Sequence, residues 1–343
     1  MKPRRTRPIV VNGAFRPQRL TGQQRYATEI ADRLIQAGVR EIRPSGFWAG
    51  SSIRTWLWTL LVLPVRSRRG VLISLTARAP VWHPRQVLAV HDLFVLTNPE
   101  WYSKNYIRSH VPMLRLQLRS ASAVVAVSQP VADQVAASTR SGPITLAPNA
   151  PSDLFLQTGG AQGVFERTGL RPDGFLLAIG SQDPRKNLAR LADAWRRVPE
   201  EVRLSCPLAI VGGGAAIFAQ DEIEWPTGTV VTGYVSDVEL AGLYEAARAV
   251  VFVSLAEGFG LPIVEAAAAG VERFVLSDID VFRWIAGEGA VYVDPMSESA
   301  MADALVTAAR QEHWPSARID VRRFEWERSA QAVLAAAERV SAL

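Results

Sequence analysis

The sequence predicts an α/β chain of two doubly wound domains that face each other across a cleft. Three observations carry that prediction. Short apolar runs alternate with segments of helical periodicity, the pattern of parallel sheets covered by helices. The alternation lapses over 148–173, a stretch rich in Pro, Gly, Ser and Asp, and then starts afresh with a new strand. At 343 residues the chain has room for two domains of ordinary size.

In the first half, RPIVVNG (7–13) is a strand and Gln23 to Gly38 a helix that stops at glycine. The apolar runs VLISL (71–75), QVLAVHDL (86–93), AVVAVS (123–128) and ITLAPN (144–149) are further strands, with a helix over Tyr102 to Ser120. The second half opens with GFLLAIG (174–180) and a helix over Asn187 to Val198. PLAIVGGG (207–214), TVVTGYV (229–235) and AVVFVS (249–254) continue the strands, and Val238 to Ala247 is helical. WERSAQAVLAAAERV, from Trp326, is a terminal helix. The expected division is 1–165, 166–325 and a tail at 326–343 that returns to the first domain.

Hydrophobic residues make up 48% and charged residues 21%, as in a chain with a real core. The single cysteine, Cys206, excludes an internal disulfide framework and a cysteine metal cluster, and the four histidines lack zinc-ligand spacing. The basic start MKPRRTRP is followed by no apolar signal-peptide core, and the uncharged run Trp56 to Val65 is too short to span a membrane. A cytoplasmic location is expected. The net charge of +5 favours anionic partners without choosing among them.

The most informative stretch is AEGFGLPIVEAAAAG, 256–270, with Glu257 and Glu265 eight residues apart. Glu257 follows a strand, where parallel sheets bind ligands. Gly258 and Gly260 permit a tight turn, Pro262 suits a first helical turn, and Gly270 ends the helix. The backbone N–H groups of Gly258, Phe259, Gly260 and Leu261 then form an anion-friendly nest beside two carboxylates able to accept hydroxyls. That combination fits a nucleotide sugar. It equally fits a capped helix with two solvated glutamates. GSQDPRKNL, 180–188, sets Arg185 and Lys186 at a helix start after the first strand of the second half. The pair suits a diphosphate, or is a helix entry with two solvated cations.

Together these motifs resemble the retaining glycosyltransferases of family 4, with the GT-B fold of two Rossmann-like domains. The resemblance extends over TGYVSDVELAGLYEAARAVVFVSLAEGFGLPIVEAAAAG and, in the first half, VVNGAFRPQRLTGQQRYATEIADRL, VLAVHDLFVLTNPEWYS, AVVAVSQPVADQV and ITLAPNAPSDLF. It is nearest in character to mannosyl- and rhamnosyltransferases that build bacterial polysaccharides, such as lipopolysaccharide, on a lipid carrier. The resemblance implies catalytic roles for His91, Asp92, Arg185, Lys186 and Glu257. Arg185 and Lys186 bind the donor diphosphate and stabilise the leaving group, as Gly180 and Ser181 approach it. Glu265 holds the ribose hydroxyls, Glu257 contacts the donor sugar, and the 258–261 backbone contacts sugar and phosphate. Tyr234 and Val235 abut the base. Gly22 lets the diphosphate approach the first domain, and His91 and Asp92 line the sugar and acceptor side. No metal or other cofactor is implied. The donor is a GDP-sugar first, GDP-mannose in particular, with UDP- and dTDP-sugars as alternatives. The acceptor is a saccharide, free or linked to polyprenyl diphosphate, at the inner face of the membrane. This chain departs from the family pattern at Val271-Glu272-Arg273, where Gly-x-Pro is usual, and at Trp284, where an acid is often found.

Other motifs weigh less. Asp278-Ile279-Asp280 has the D-x-D form of a metal motif but follows the glutamate motif instead of a nucleotide-binding half. VGGGAA (211–216) lacks the third spaced glycine of a dinucleotide loop. Arg108, Arg115 and Arg119 share roughly one helical face, either solvated or meeting an acceptor diphosphate or the membrane surface. The segment Ile53 to Arg69, with Trp56 and Trp58, is an interfacial membrane element or a core helix. A non-catalytic nucleotide-sugar-binding protein is the competing reading; the positive charge without a nucleic-acid-binding motif argues against nucleic acid.

Overall fold

Runs of Val, Ile, Leu and Ala, closed by turn residues, become the strands of two sheets in a computed structural model that describes residues 7–18, 21–138, 142–156, 159–180, 183–212, 223–310, 314 and 318–342. The chain divides into two units, Met1–Asn149 with Phe324–Leu343, and Ala150–Arg323.

The first unit carries β1 (Ile9–Asn12), β2 (Arg40–Ile42), β3 (Val71–Ser74), β4 (Gln86–Val90), β5 (Ala123–Ala126) and β6 (Ile144–Leu146). They form one sheet in the order β2-β1-β3-β4-β5-β6, every pair parallel. Its central strands are buried throughout, which is why they read as continuous apolar runs. The strand order reverses between β1 and β3. Asn12 bridges that point: its Nδ2 donates to the Arg78 carbonyl at 2.8 Å, and its Oδ1 accepts the Ala14 N–H at 3.0 Å.

The helix Gly22–Gln36 buries Tyr26, Ala27, Ile30, Ala31 and Leu34, a stripe at helical spacing, and packs on the terminal helix Trp326–Ala342. That terminal helix is fastened at both ends. Ser329 donates to the Pro148 carbonyl at 2.7 Å and Ser341 to the Arg7 carbonyl at 2.9 Å. It therefore belongs to the first unit.

The second unit carries β7 (Leu176–Ile179), β8 (Leu208–Val211), β9 (Thr229–Gly233), β10 (Ala249–Phe252), β11 (Phe274–Ser277) and β12 (Val291–Val293). Their order is β12-β11-β10-β7-β8-β9, again all parallel. This is the doubly wound arrangement, with its reversal between β7 and β10. The helix Leu188–Arg197 covers one face and packs on the helix Glu298–Arg310, with Leu191 and Trp195 meeting Met301, Leu305 and Ala308 in one core.

The α/β architecture expected from the sequence is present, with adjustments. The units part at 149/150 and 323/324, earlier than the expected 165/166 and 325/326. The supposed linker is instead bound into the second unit. It contains the helix Gln162–Thr168, the Gly159 N–H meets Glu245 Oε2 at 2.8 Å, and Arg167 pairs with Glu239 at 2.9 Å. The helix expected from Tyr102 starts at Lys104, because Ser103 caps it by accepting the Tyr106 N–H at 3.3 Å. The strand expected over 229–235 ends at Gly233, and those over 144–149 and 207–214 end at Leu146 and Val211. Much of VGGGAA lies outside the described residues. The short strand β2, Arg-Glu-Ile, has no apolar run to announce it, whereas β11 and β12 are the apolar runs FVLS and VYV that the sequence reading leaves unassigned.

Trp195 is fully buried and its Nε1 donates to the Gly228 carbonyl at 3.3 Å. Trp195→Ala is expected to lower unfolding stability by about 3–5 kcal/mol, the usual loss for a buried aromatic. Chemical denaturation checks this; a loss below about 1 kcal/mol would contradict the packing described.

Candidate active site

Open α/β sheets bind ligands beyond the carboxyl ends of their strands, at the point where strand order reverses. In the second unit that point lies between β7 and β10. The loop after β7 holds residues 183–187, and the loop after β10 holds 253–260. Three contacts tie them together. The Leu255 N–H donates to the Arg185 carbonyl at 2.8 Å. Asn187 Nδ2 donates to the Val253 carbonyl at 3.0 Å and to the Pro295 carbonyl at 2.7 Å. Lys186 Nζ meets Glu257 Oε1 at 2.6 Å, and the Ser254 hydroxyl donates to the same oxygen at 3.0 Å.

Local sequence explains this geometry. Asp183 accepts the Arg185 N–H at 3.0 Å and Pro184 fixes the next φ, so Pro184–Lys186 is a single 3-10 turn. Asn187 then takes the left-handed conformation, φ 60°, which asparagine tolerates better than most residues, and the helix Leu188–Arg197 follows. Gly180 leaves room for that helix: a Cβ there would lie 2.8 Å from the Leu188 methyls. After β10, Gly260 turns at φ 88° into the helix Leu261–Ala268. A Cβ on Gly260 would also lie 3.0 Å from the Phe282 ring.

The charges are arranged in pairs. Arg185 Nε lies 3.0 and 2.9 Å from the two oxygens of Asp183. Burial works against ionisation of Asp183, yet the adjacent Arg185 guanidinium holds its carboxyl below the usual carboxylate range. Lys186 is paired in turn with Glu257, so neither cation is the freely solvated group of the alternative reading. Glu265 is only 5% exposed, within a helix that also buries Ile263, Val264 and Ala266. The alternative of two solvated glutamates therefore fails: a carboxylate at this depth requires polar partners.

The remaining second-unit residues fall as follows. Gly258, Phe259, Gly260 and Leu261 form the turn after Glu257, with Phe259 buried and edge-on to Trp284, ring centroids 6.1 Å apart. Trp284, one of the departures from the family pattern, thus packs behind the glycine turn. Val235 is buried, whereas Tyr234 is 90% exposed, just beyond the edge strand β9. Ser181 lies outside the described residues. Asp278 is engaged by Arg283 at 2.6 Å, and among the described residues no cluster of three metal-ligating side chains occurs.

In the first unit, Gly22 begins the helix Gly22–Gln36, and among the described residues a Cβ there would meet nothing within 4 Å beyond its chain neighbours and its own helix backbone. Packing within the chain therefore does not require glycine at that position. His91 and Asp92 follow β4. Asp92 accepts the Phe94 N–H at 3.3 Å, the local capping role expected of it when the HD pair is read alone. His91 donates from Nε2 to the Leu75 carbonyl at 2.9 Å and stands edge-on to Tyr26, centroids 5.0 Å apart. Burial holds its pKa down to about 4, against the smaller opposing pull of the Leu75 carbonyl. The ring is therefore neutral at physiological pH, with Nδ1 unprotonated.

Sequence reasoning did not single out Asn187 or Ser254 as site residues. Asn187 acts across the β7–β10 junction, which only strand adjacency reveals, while Ser254 acts within its own loop by orienting Glu257. One available signal was lysine usage. Of 38 basic residues only Lys2, Lys104 and Lys186 are lysine, so an amine at 186 stands out in a chain that otherwise uses arginine.

Residues 174–311 match the family model described as glycosyl transferases group 1. The second unit is a group 1 glycosyltransferase domain. The O-antigen chain mannosyltransferase B of Escherichia coli is 28% identical over 267 residues, 71% of this chain and 67% of that relative. Sucrose-phosphate synthase from Thermosynechococcus elongatus superposes with a TM-score of 0.69 at 17% identity, covering 95% of this chain and 96% of its own. HepE from Anabaena, solved in complex with UDP-glucose, gives 0.64 at 17%, covering 96% and 99%. These structures share the two-domain α/β fold, and the glycosyltransferase assignment from sequence stands. Within the matched stretch, Arg185, Lys186, Glu257 and Glu265 lie on the two loops and one helix at the sheet reversal.

Because the folded chain depresses the His91 pKa, protonation opposes folding. Stability from this group is complete above about pH 6.5 and is lost as pH falls toward 4. His83, also depressed by burial, moves in the same direction, so the variant isolates the effect. His91→Asn, which keeps a donor for Leu75, is expected to flatten the fall in melting temperature between pH 6.5 and 4. Superimposable pH profiles would contradict this.

Proposed function

We propose that this chain is a retaining hexosyltransferase that moves mannose from a nucleotide-diphosphate donor to a saccharide acceptor in cell-surface polysaccharide synthesis. The observation that carries the reading is the Lys186–Glu257 contact, held with Arg185 at the β7–β10 reversal of a group 1 glycosyltransferase domain. The mannosyltransferase relative supports the sugar, and GDP-mannose is the first donor to test, ahead of UDP- and dTDP-sugars.

The chemistry follows from charge. Breaking the anomeric C–O bond leaves positive charge on the sugar and negative charge on the diphosphate. Arg185 and Lys186 supply fixed positive potential where the negative charge grows, the task a divalent metal performs in other transferases. As Lys186 turns to phosphate, Glu257 is released to accept sugar hydroxyls, still oriented by Ser254. Glu265 accepts the ribose hydroxyls. The acceptor oxygen bonds to the anomeric carbon on the face the diphosphate leaves, and the acceptor proton passes to a departing phosphate oxygen. Neutral His91 contributes hydrogen bonding to the sugar and is not the base.

A membrane-linked acceptor is supported by the first unit. Phe47, Ile53, Leu57, Leu61 and Val65 are exposed on the 46–67 segment, beside Arg54, Arg66, Arg68 and Arg69. No Asp or Glu occurs anywhere over 42–91. An apolar face rimmed by cations suits an anionic bilayer surface. Among the described residues, no helix is long and apolar enough to cross a membrane.

Titration of the purified chain with GDP, UDP and dTDP, followed by thermal shift, tests the donor site. Selective stabilisation by one nucleotide is expected, and none by any would remove the reading. Lys186→Ala is expected to lower kcat about 10²–10³-fold with the fold intact by circular dichroism. Glu265→Gln is expected to weaken nucleotide binding about tenfold or more. Wild-type kcat in the first, or wild-type affinity in the second, would remove that residue from its role.

The membrane contact has its own test. Sedimentation with phosphatidylglycerol vesicles should carry the protein down, and Ile53→Asp with Leu61→Asp should leave it in solution. Equal sedimentation of wild type and variant would exclude this face.

A further inference from the structure

The first unit contains a cavity of about 510 Å³ that none of the roles above uses. It is lined by Gln18, Thr21 and Gln24 on one side, Ser51, Ser52 and Thr55 on another, and Arg78. Among the described residues no lining residue is acidic, and Arg78 is the one charged group, half-buried, with its guanidinium donating to the Ser52 hydroxyl at 2.9 Å. Among the described residues no carboxylate pairs with it. Burial alone holds its pKa below the ordinary arginine value, so this is a desolvated cation without a counter-charge. Its backbone is fixed: the Arg78 carbonyl accepts from Asn12 and its N–H donates to the Thr76 hydroxyl at 3.3 Å.

The rest of the lining has the same polarity. Thr21 precedes the 15-residue helix Gly22–Gln36, whose first turn has neither an acid nor a side-chain cap. The Thr21 hydroxyl is turned to the Gln24 side chain instead. Ser51 caps the 10-residue helix Ser52–Leu61, which also lacks a first-turn acid. Two positive helix ends and one guanidinium therefore converge on hydroxyls and amides with no negative charge among the described lining residues to balance them.

We infer that this cavity is an oxyanion subsite for a phosphate or diphosphate group, with Arg78 as its principal ligand. Its assignment to the acceptor rests on the transferase reading above. The helix that opens at Ser52 is the one that exposes Ile53, Leu57 and Leu61. A diphosphate held at the N-terminal end of that helix would leave an attached prenyl chain lying along its apolar side.

Isothermal calorimetry with inorganic diphosphate and with farnesyl diphosphate, on wild type, Arg78→Gln and Lys186→Ala, tests the inference without requiring sugar transfer. A diphosphate site that Arg78→Gln weakens at least tenfold, and Lys186→Ala leaves alone, is the expected result. Tighter binding of farnesyl diphosphate than of inorganic diphosphate would identify a lipid-linked source; equal binding would identify a free or sugar-borne phosphate at the same subsite. Wild-type affinity for both probes in Arg78→Gln would overturn the inference. So would an equal loss of GDP affinity in that variant, which would make the cavity part of the donor site. Both failures leave the Lys186 and Glu265 tests untouched, so this inference and the transferase reading fall separately.

Discussion

The parallel pairing of β7 with β10 is the constraint on which the donor-side geometry depends. The two strands are aligned with Leu177 opposite Val250, although some seventy residues separate them. Their adjacency delivers the 183–187 and 253–260 loops to one place, and nothing local in either loop could do so. The Lys186–Glu257 pair completes the join. A partly shielded ion pair of this kind adds little net stability, because desolvation offsets much of the attraction. Folding alone therefore does not call for it, which fits the proposed exchange of Lys186 between a carboxylate and a phosphate.

The repeating strand and helix pattern was legible because buried parallel strands are short, uniformly apolar runs, and the helices carry clear stripes such as that of Tyr26, Ile30 and Leu34. The motif residues were legible because glycine, proline and paired charges have few reasons to occur together. Other features depend on tertiary placement. Helix Leu261–Ala268 is apolar on nearly every side, so no periodicity shows that Glu265 faces inward. Asn187 reads as a helix start, and its hold on Val253 and Pro295 is invisible until the strands are ordered. Trp284 looked like a departure from a family pattern and is a packing partner of Phe259. The linker misled for a compositional reason: its Gly and Pro residues mark turns that pack against the helix Asp237–Ala246.

In the first unit the predicted histidine is supported from behind. His91 stands against Tyr26, Tyr26 lies 6.0 Å from Trp326, and the Tyr26 hydroxyl donates to the Ala147 carbonyl at 3.1 Å. The terminal helix thus buttresses a ring at the end of β4 through one intervening aromatic. Each layer is apolar, which keeps His91 uncharged and fixes its tautomer through the Leu75 carbonyl. The tail is as much a part of that residue's environment as the strand that bears it.

The same tail defines how the chain is partitioned. The first unit is left at Asn149 and resumed at Phe324, and the Ser329–Pro148 hydrogen bond sets exit and re-entry side by side. The second unit is consequently an uninterrupted insert between neighbouring points. A gene segment of that kind can be exchanged by recombination at two junctions without dividing the sheet that carries His91 and Arg78. The reverse does not hold, since the first unit needs both ends of the chain. Under the proposed function, wholesale replacement of that insert would change the donor, while a change of acceptor would fall to substitutions within the first unit's loops.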